Sequence, residues 1–204
     1  MRIQIVLFDG FDELDALAPF EVLRRAGEAG ADIQTKLVSH ADTAEVTAFY
    51  GLRLRPSGRL EEGELPDVVL VPGGGWNHRG PHGARVEAER GALPAALARL
   101  HAAGVVLAGV CTGAMLIATA RLLIGRNATT HHLALEELQA AGATVIHARV
   151  VDDGDLLTSG GVTSGMDLAL WLVERFAGPQ VALQIEDRLE YERRGTVWRR
   201  LPAP

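Results

Sequence analysis

The stretch Val105-Val106-Leu107-Ala108-Gly109-Val110-Cys111-Thr112-Gly113-Ala114-Met115-Leu116-Ile117 decides the fold. Residues 105–110 form a short apolar run, as a strand buried on both faces requires. Residues 114–123 are good helix formers closed by Gly125. Between them, Gly109-Val110-Cys111-Thr112-Gly113 has the form G-x-nucleophile-x-G, a nucleophile elbow with sulfur in place of a hydroxyl. Its glycines are needed because the strand turns sharply into the helix and neighbouring backbone comes close. Such a turn presents Cys111 at the carboxyl edge of the sheet, where α/β proteins place their ligands. Backbone amides and the positive helix end predict a thiol that ionises more easily than one in solution, and an anion formed during attack would meet the same amides. A lone cysteine is more often a small buried hydrophobe. The flanking glycines and the strand-to-helix setting favour the nucleophile.

Outward from the elbow, strands alternate with helices. Residues 3–8 read as a buried first strand and 9–12 as a turn. Residues 16–29 read as a helix with Leu17, Phe20, Leu23 and Ala26 on one face and Pro19 in its first turn. A strand is expected at 33–38, a hairpin-like excursion at 44–55, and a buried strand at 67–71 stopped by Pro72-Gly73-Gly74-Gly75. Residues 82–103 are helical, interrupted at Gly91 or Pro94. Then come a strand at 128–130, a helix at 133–141, and strands at 144–146, 149–151 and 156–158, the last two joined by an Asp153-Gly154 turn. Helices at 164–176 and 180–192 complete the pattern. It predicts a single α/β domain spanning 1–204, with a mostly parallel sheet covered on both faces, a tail from about 194, and a frayed end at 202–204.

Composition narrows the function. The chain has 204 residues, one cysteine and a formal net charge of −6, with 48% hydrophobic and 23% charged residues. That is ordinary globular composition without the basic excess of a nucleic-acid-binding domain. One cysteine forms no internal disulfide and suits a reducing compartment. No apolar run approaches the length needed to span a bilayer, and the N-terminal run is too short for a signal-peptide core, so the expected location is the cytoplasm. The cluster Arg193, Arg194, Arg199 and Arg200 reads as solvated tail.

Asp15 follows the first strand. By itself it reads as a helix N-cap. A central first strand beside the elbow strand would instead turn it toward Cys111. There a protonated aspartate could hydrogen-bond the sulfur and pass a proton to substrate. Asp9, Asp12 and Glu13 read as turn residues. Gly73-Gly74-Gly75 lacks the lysine of a phosphate loop and reads as an oxyanion-type backbone turn. Asp152-Asp153-Gly154-Asp155 lacks calcium-loop spacing and reads as a polar hairpin turn. His131 and His132 read as a helix-start or loop pair or as site lining; adjacent on a strand they would point to opposite faces, so they are poor metal ligands.

Several segments together resemble the ThiJ/PfpI superfamily, with its class I glutamine-amidotransferase-like, flavodoxin-like fold. They are the acid in Leu14-Asp15-Ala16-Leu17-Ala18-Pro19-Phe20-Glu21-Val22-Leu23, the loop Val71-Pro72-Gly73-Gly74-Gly75, the elbow Val110-Cys111-Thr112-Gly113, the stretch Ala128-Thr129-Thr130-His131, and Thr158-Ser159-Gly160-Gly161-Val162-Thr163-Ser164-Gly165-Met166-Asp167. Asp15 and the Cys111-Thr112 pair make the chain most similar to the isonitrile hydratases, lyases that add water to an isonitrile to give an N-substituted formamide. That resemblance implies Cys111 as nucleophile on the terminal carbon, Asp15 as general acid that helps activate water, and Thr112, Gly74 and Gly75 holding the site. It places His131 in the site lining and implies a homodimer, a small-molecule substrate, and no metal or organic cofactor. Thr112 stands where peptidase-like relatives carry histidine, which argues against a Cys-His dyad. Trp76-Asn77-His78-Arg79 lengthens the glycine loop and is expected to reshape the pocket. Glyoxalase or deglycase chemistry and a non-catalytic redox or ligand sensor are the alternative functions. Regulators with these motifs usually continue into a helix-turn-helix region, for which this chain is expected to be too short.

Overall fold

A computed structural model describes residues 1–60 and 64–200. In chain order the elements are β1 (Arg2–Leu7), α1 (Glu13–Glu28), β2 (Gln34–Ser39), β3 (Val46–Thr47), β4 (Arg53–Leu54), β5 (Val68–Val71), α2 (Ala84–Arg90), α3 (Ala92–Ala102), β6 (Val106–Val110), α4 (Gly113–Thr119), β7 (Asn127–Ala128), a 3-10 turn (His132–Ala134), α5 (Leu135–Ala140), β8 (Thr144–Val145), β9 (Val150–Asp152), β10 (Leu156–Ser159), α6 (Ser164–Ala177), α7 (Pro179–Leu189) and β11 (Trp198–Arg199). The main sheet has seven strands in the order β11-β9-β10-β6-β5-β1-β2. From β10 to β2 all neighbours are parallel, whereas β9 runs antiparallel to β10. Helices α1, α6 and α7 pack together, as do α2, α3 and α4, so the sheet is covered on both faces. Every residue of β5 is buried, as a strand between two helical layers must be. The edge strand β2 instead exposes Gln34 and Lys36, which blunts the open edge.

The sheet order corrects one expectation. β1 does not adjoin the elbow strand, because β5 lies between them. Register brings the strand ends level: Ile5 pairs with Leu70, and Val71 with Gly109. The glycine loop after β5 is thereby inserted between the α1 start and the elbow.

Two other boundaries shift for physical reasons. Asp12 caps α1 by accepting from the Leu14 amide at 3.1 Å, so the helix starts at Glu13 and Pro19 lies in its interior. Proline there withholds the amide that would bond the Asp15 carbonyl. Its ring packs where α6 crosses: a Cβ on Gly165 would stand 3.3 Å from Pro19 Cγ and 3.1 Å from Val110 Cγ1. The strand expected at 128–130 ends at Ala128; His131 and His132 open the 3-10 turn, as a helix-start pair would, and their rings lie 4.3 Å apart.

The expected tail is also corrected. Trp198–Arg199 adds to the sheet beside β9, and the Arg200 amide donates to the Asp152 carbonyl. The arginines are partnered: Arg193 pairs with Glu174 and Glu186, and Arg199 lies over the Trp171 ring at 5.1 Å. An unpaired edge at β9 and carboxylates on α6 and α7 give this segment a place to dock. The frayed end expected at 202–204 lies outside the described residues.

Candidate active site

Cys111 has φ 55°, a left-handed conformation costing a non-glycine residue about 1–2 kcal/mol. Neighbouring segments hold it there. Its amide donates to the Ser159 and Gly160 carbonyls at 3.2 and 3.1 Å, and its carbonyl accepts the Thr130 hydroxyl at 2.8 Å. The elbow glycines meet the predicted need: a Cβ on Gly109 would lie 2.8 Å from the Ala114 nitrogen, and one on Gly113 1.9 Å from the Val71 oxygen.

Asp15 is fully buried and accepts the Gly73 amide on Oδ2 at 2.9 Å. With Asp12 as the cap, the carboxyl of Asp15 is turned inward. Gly73 permits the approach, since a Cβ there would stand 3.0 Å from Asp15 Oδ2 and 2.5 Å from the Thr112 nitrogen. Burial, and secondarily the Asp12 charge, pushes the Asp15 carboxyl up to about 8; the Gly73 amide, the Cys111 thiol and the Val162 amide pull partly against this. Asp15 Oδ1 makes no bond of good hydrogen-bond geometry, so the thiol and the Val162 amide act on it as oriented dipoles rather than ideal partners.

The expectation of an easily ionised thiol is overturned. Burial first, and the Asp15 carboxylate second, pushes the Cys111 thiol above its ordinary range, while the Thr112 and Val162 amides act in the opposite direction. Desolvation outweighs the amides of α4, a helix of only seven residues. At neutral pH the pair therefore holds protons on both sulfur and carboxyl, and it titrates as one unit.

The raised carboxyl has a consequence for stability. Unfolded, Asp15 loses its proton near the ordinary carboxyl value of 3.8; folded, it keeps it to about 8. Between these values the folded chain binds more protons. The stabilisation is full below the unfolded value and is lost as pH rises through the folded one. Asp15→Asn, which keeps an acceptor for Gly73, is expected to remove up to about 1.4 kcal/mol of stability loss per pH unit in this window. Urea unfolding at pH 5, 6.5 and 8.5 checks this: the variant should gain on the wild type as pH rises, and parallel curves would contradict it.

A pocket of about 270 Å³ opens above Cys111 and includes Asp12, Thr112, Gly74, Gly75 and His131 in its lining. The Thr112 hydroxyl accepts the Gly74 amide at 3.1 Å, so that amide braces the elbow and is not directed at a ligand. Gly75, at φ 69°, lines the pocket. His131 Nδ1 accepts the Leu133 amide at 3.2 Å, which leaves Nε2 as the N–H position of the neutral ring. Burial, then His132, lowers its pKa and favours that neutral form.

Sequence reading missed several members of this site. Phe49 and Tyr50 form part of the rim, with Phe49 edge-on to Tyr50 at 5.1 Å and to His78 at 5.2 Å. Glu13 anchors them by accepting the Tyr50 amide at 2.8 Å, and Asp9 accepts the Thr47 amide at 2.9 Å. These acids are tethers for the β3–β4 excursion, a long-range role without a local signal. The extended loop does shape the pocket, as expected: Trp76, Asn77 and His78 line it. Trp76 is clamped by Arg85, whose guanidinium lies 4.3 Å from the ring centre and donates to the Trp76 carbonyl at 2.7 Å, and by Glu137, which accepts the indole N–H at 3.2 Å.

An α/β sheet with a cysteine elbow, a buried aspartate against it and a glycine loop between them defines a class, and comparison with known proteins gives its membership. Residues 1–175 match the DJ-1/PfpI family, and the chain belongs to that family. It is 35% identical over 195 residues to an isonitrile hydratase from Pseudomonas putida, covering 94% of this chain and 78% of that protein. It is 32% identical to the HTH-type transcriptional regulator CdhR of Pseudomonas aeruginosa, over 90% of this chain but only 53% of the regulator. Among solved structures it is similar to a ThiJ/PfpI family protein from Pseudomonas syringae, with a TM-score of 0.80 and 26% identity over 95% of this chain and 76% of that one. A DJ-1 superfamily protein from Salmonella typhimurium also superposes with a TM-score of 0.80, at 25% identity over 94% and 98% of the two chains.

Proposed function

We propose that the protein is a cysteine-dependent lyase that hydrates isonitriles to N-substituted formamides. The observation that carries this reading is the contact between a buried, proton-holding aspartate and the only sulfur nucleophile at the floor of a small pocket. An isonitrile suits such a pair because its terminal carbon accepts both the sulfur and a proton. Attack by Cys111 forms the S–C bond while Asp15 delivers a proton to the same carbon and recovers one from the thiol. The product is a Cys111 thioimidate, S–CH=N–R. Water then adds to that carbon, the nitrogen is protonated, and collapse to the formamide returns the thiol. Gly75, Thr112 and His131 hold the substrate in this scheme. Similarity to the Pseudomonas putida isonitrile hydratase supports it.

The reading takes the protein as a cytoplasmic homodimer acting on a small molecule with no metal or organic cofactor. One cysteine per chain suits a reducing compartment. No helix among the described residues is long and apolar enough to cross a membrane. The test is a side-by-side assay of a phenyl isonitrile and methylglyoxal. Formamide from the first and no lactate from the second is the expected result. Lactate alone would replace the hydratase with glyoxalase-type chemistry, and turnover of neither would favour a sensor.

A further inference from the structure

The thioimidate has to be attacked by water, and the buried aspartate is in the wrong protonation state to prepare that water. Asp15 is still protonated at that point, because the proton it gives to carbon is replaced by the one the thiol loses. Its next task is therefore to protonate the nitrogen. A second group has to take the proton from water.

Among the described residues, Asp12 is the only carboxylate lining the pocket. We infer that Asp12 is a further catalytic residue, the base that takes a proton from the water attacking the Cys111-bound thioimidate. This role rests on the hydratase reading. Its backbone and side chain are both held: the Asp12 amide donates to the Gly73 carbonyl at 2.9 Å, and the carboxylate Oδ1 accepts the Leu14 amide at 3.1 Å. A carboxylate has several lone pairs, so capping a helix leaves capacity for a water.

The groups facing Asp12 leave it this task. Glu13 on the same helix is tied to the Tyr50 amide. His131 has its acceptor nitrogen occupied by Leu133 and offers an N–H instead. His78, exposed on the loop after Gly75, packs against the Phe49 ring. Burial raises the Asp12 carboxyl above its ordinary range, which strengthens it as a base.

Protons balance through the cycle. One proton from the thiol–Asp15 pair becomes the formyl C–H, and the other becomes the N–H. Water supplies the oxygen and gives one proton to Asp12. When the tetrahedral S–CH(OH)–NHR collapses, the C–S bond breaks, and the hydroxyl proton and the Asp12 proton restore the thiol and Asp15.

Asp12→Asn tests this, because asparagine caps a helix as well as aspartate does but is not a base. With a phenyl isonitrile, formamide kcat should fall about 10²-fold or more, with the melting temperature nearly unchanged. Intact-protein mass spectrometry should show the variant accumulating a Cys111 adduct heavier by one isonitrile, formed at the wild-type rate. The acid limb of the wild-type kcat–pH profile should disappear. Asp32→Asn, the same change on an exposed carboxylate that pairs with the N-terminal ammonium, should leave kcat within about twofold. Wild-type kcat in Asp12→Asn, or a loss of kcat with no accumulated adduct, overturns the role of Asp12 alone. Wild-type protein that forms neither adduct nor formamide overturns the hydratase reading and this role with it.

Discussion

Cys111→Ala should lower formamide production by about 10⁴-fold or more and leave the fold intact. The loss is large because the sulfur forms the covalent intermediate, and nothing else in the pocket can. The carboxylate lining it, Asp12, is a weak nucleophile, and the hydroxyl of Thr112 is committed to the Gly74 amide. The structural cost is small by comparison. Alanine keeps the Cβ and the backbone bonds to Ser159, Gly160 and Thr130, and gives up only a sulfur at the pocket floor. It also removes one partner of the coupled proton pair. The left-handed φ of 55° strains both residues alike. Steady-state assay with calorimetry in parallel checks both halves. Residual activity above a thousandth of wild type would show that the sulfur is not the nucleophile, and loss of the cooperative transition would show that the thiol is structural.

Among the described glycines, Gly113→Ala should be the most destabilising alanine substitution, costing about 3 kcal/mol or more. The added Cβ would stand 1.9 Å from the Val71 oxygen, 2.8 Å from its carbonyl carbon and 2.9 Å from the Pro72 carbonyl carbon. All three are backbone atoms at the end of a fully buried strand, so no rotamer change relieves the clash. Either α4 lifts from the sheet or β5 shifts, and both carry the elbow with them. The control is Gly125→Ala, where the Cβ meets nothing within 4 Å and the cost is only that of φ 69°, about 1–2 kcal/mol. Urea unfolding should show the Gly113 variant losing more stability than the Gly125 variant by about 1 kcal/mol or more. Similar losses would mean that the contact is absorbed by relaxation.

What the sequence disclosed followed from local physics. Apolar runs bounded by glycine located the strands, and the paired glycines around Cys111 identified the turn before any contact was known. The single domain and the covered parallel sheet were likewise legible. Strand order was not, because nothing in residues 3–8 or 67–71 states which of them lies beside residues 105–110. The ionisation of the thiol was misjudged for a related reason. Helix and glycine signals are local, whereas burial depends on every element that closes over the sulfur. Asp12 and Glu13 read as turn residues because a carboxylate that caps a helix and one that tethers a distant excursion look alike in sequence. The rim aromatics Phe49 and Tyr50 escaped notice since their meaning comes only from where the β3–β4 excursion folds back.

The floor of the pocket is a junction of chain segments far apart in sequence, around residues 12–15, 73–78, 111–112, 131 and 162, and the sulfur there is the protein's only cysteine. Cys111 has a relative exposure of 6%, and its sulfur is screened only while all of these segments stay in place. The molecule thus carries its own integrity gauge. The pace at which a bulky thiol-labelling reagent consumes the protein reports how often this junction opens, and a chain emerging from the ribosome would not protect its sulfur until the residues around 162 had been made.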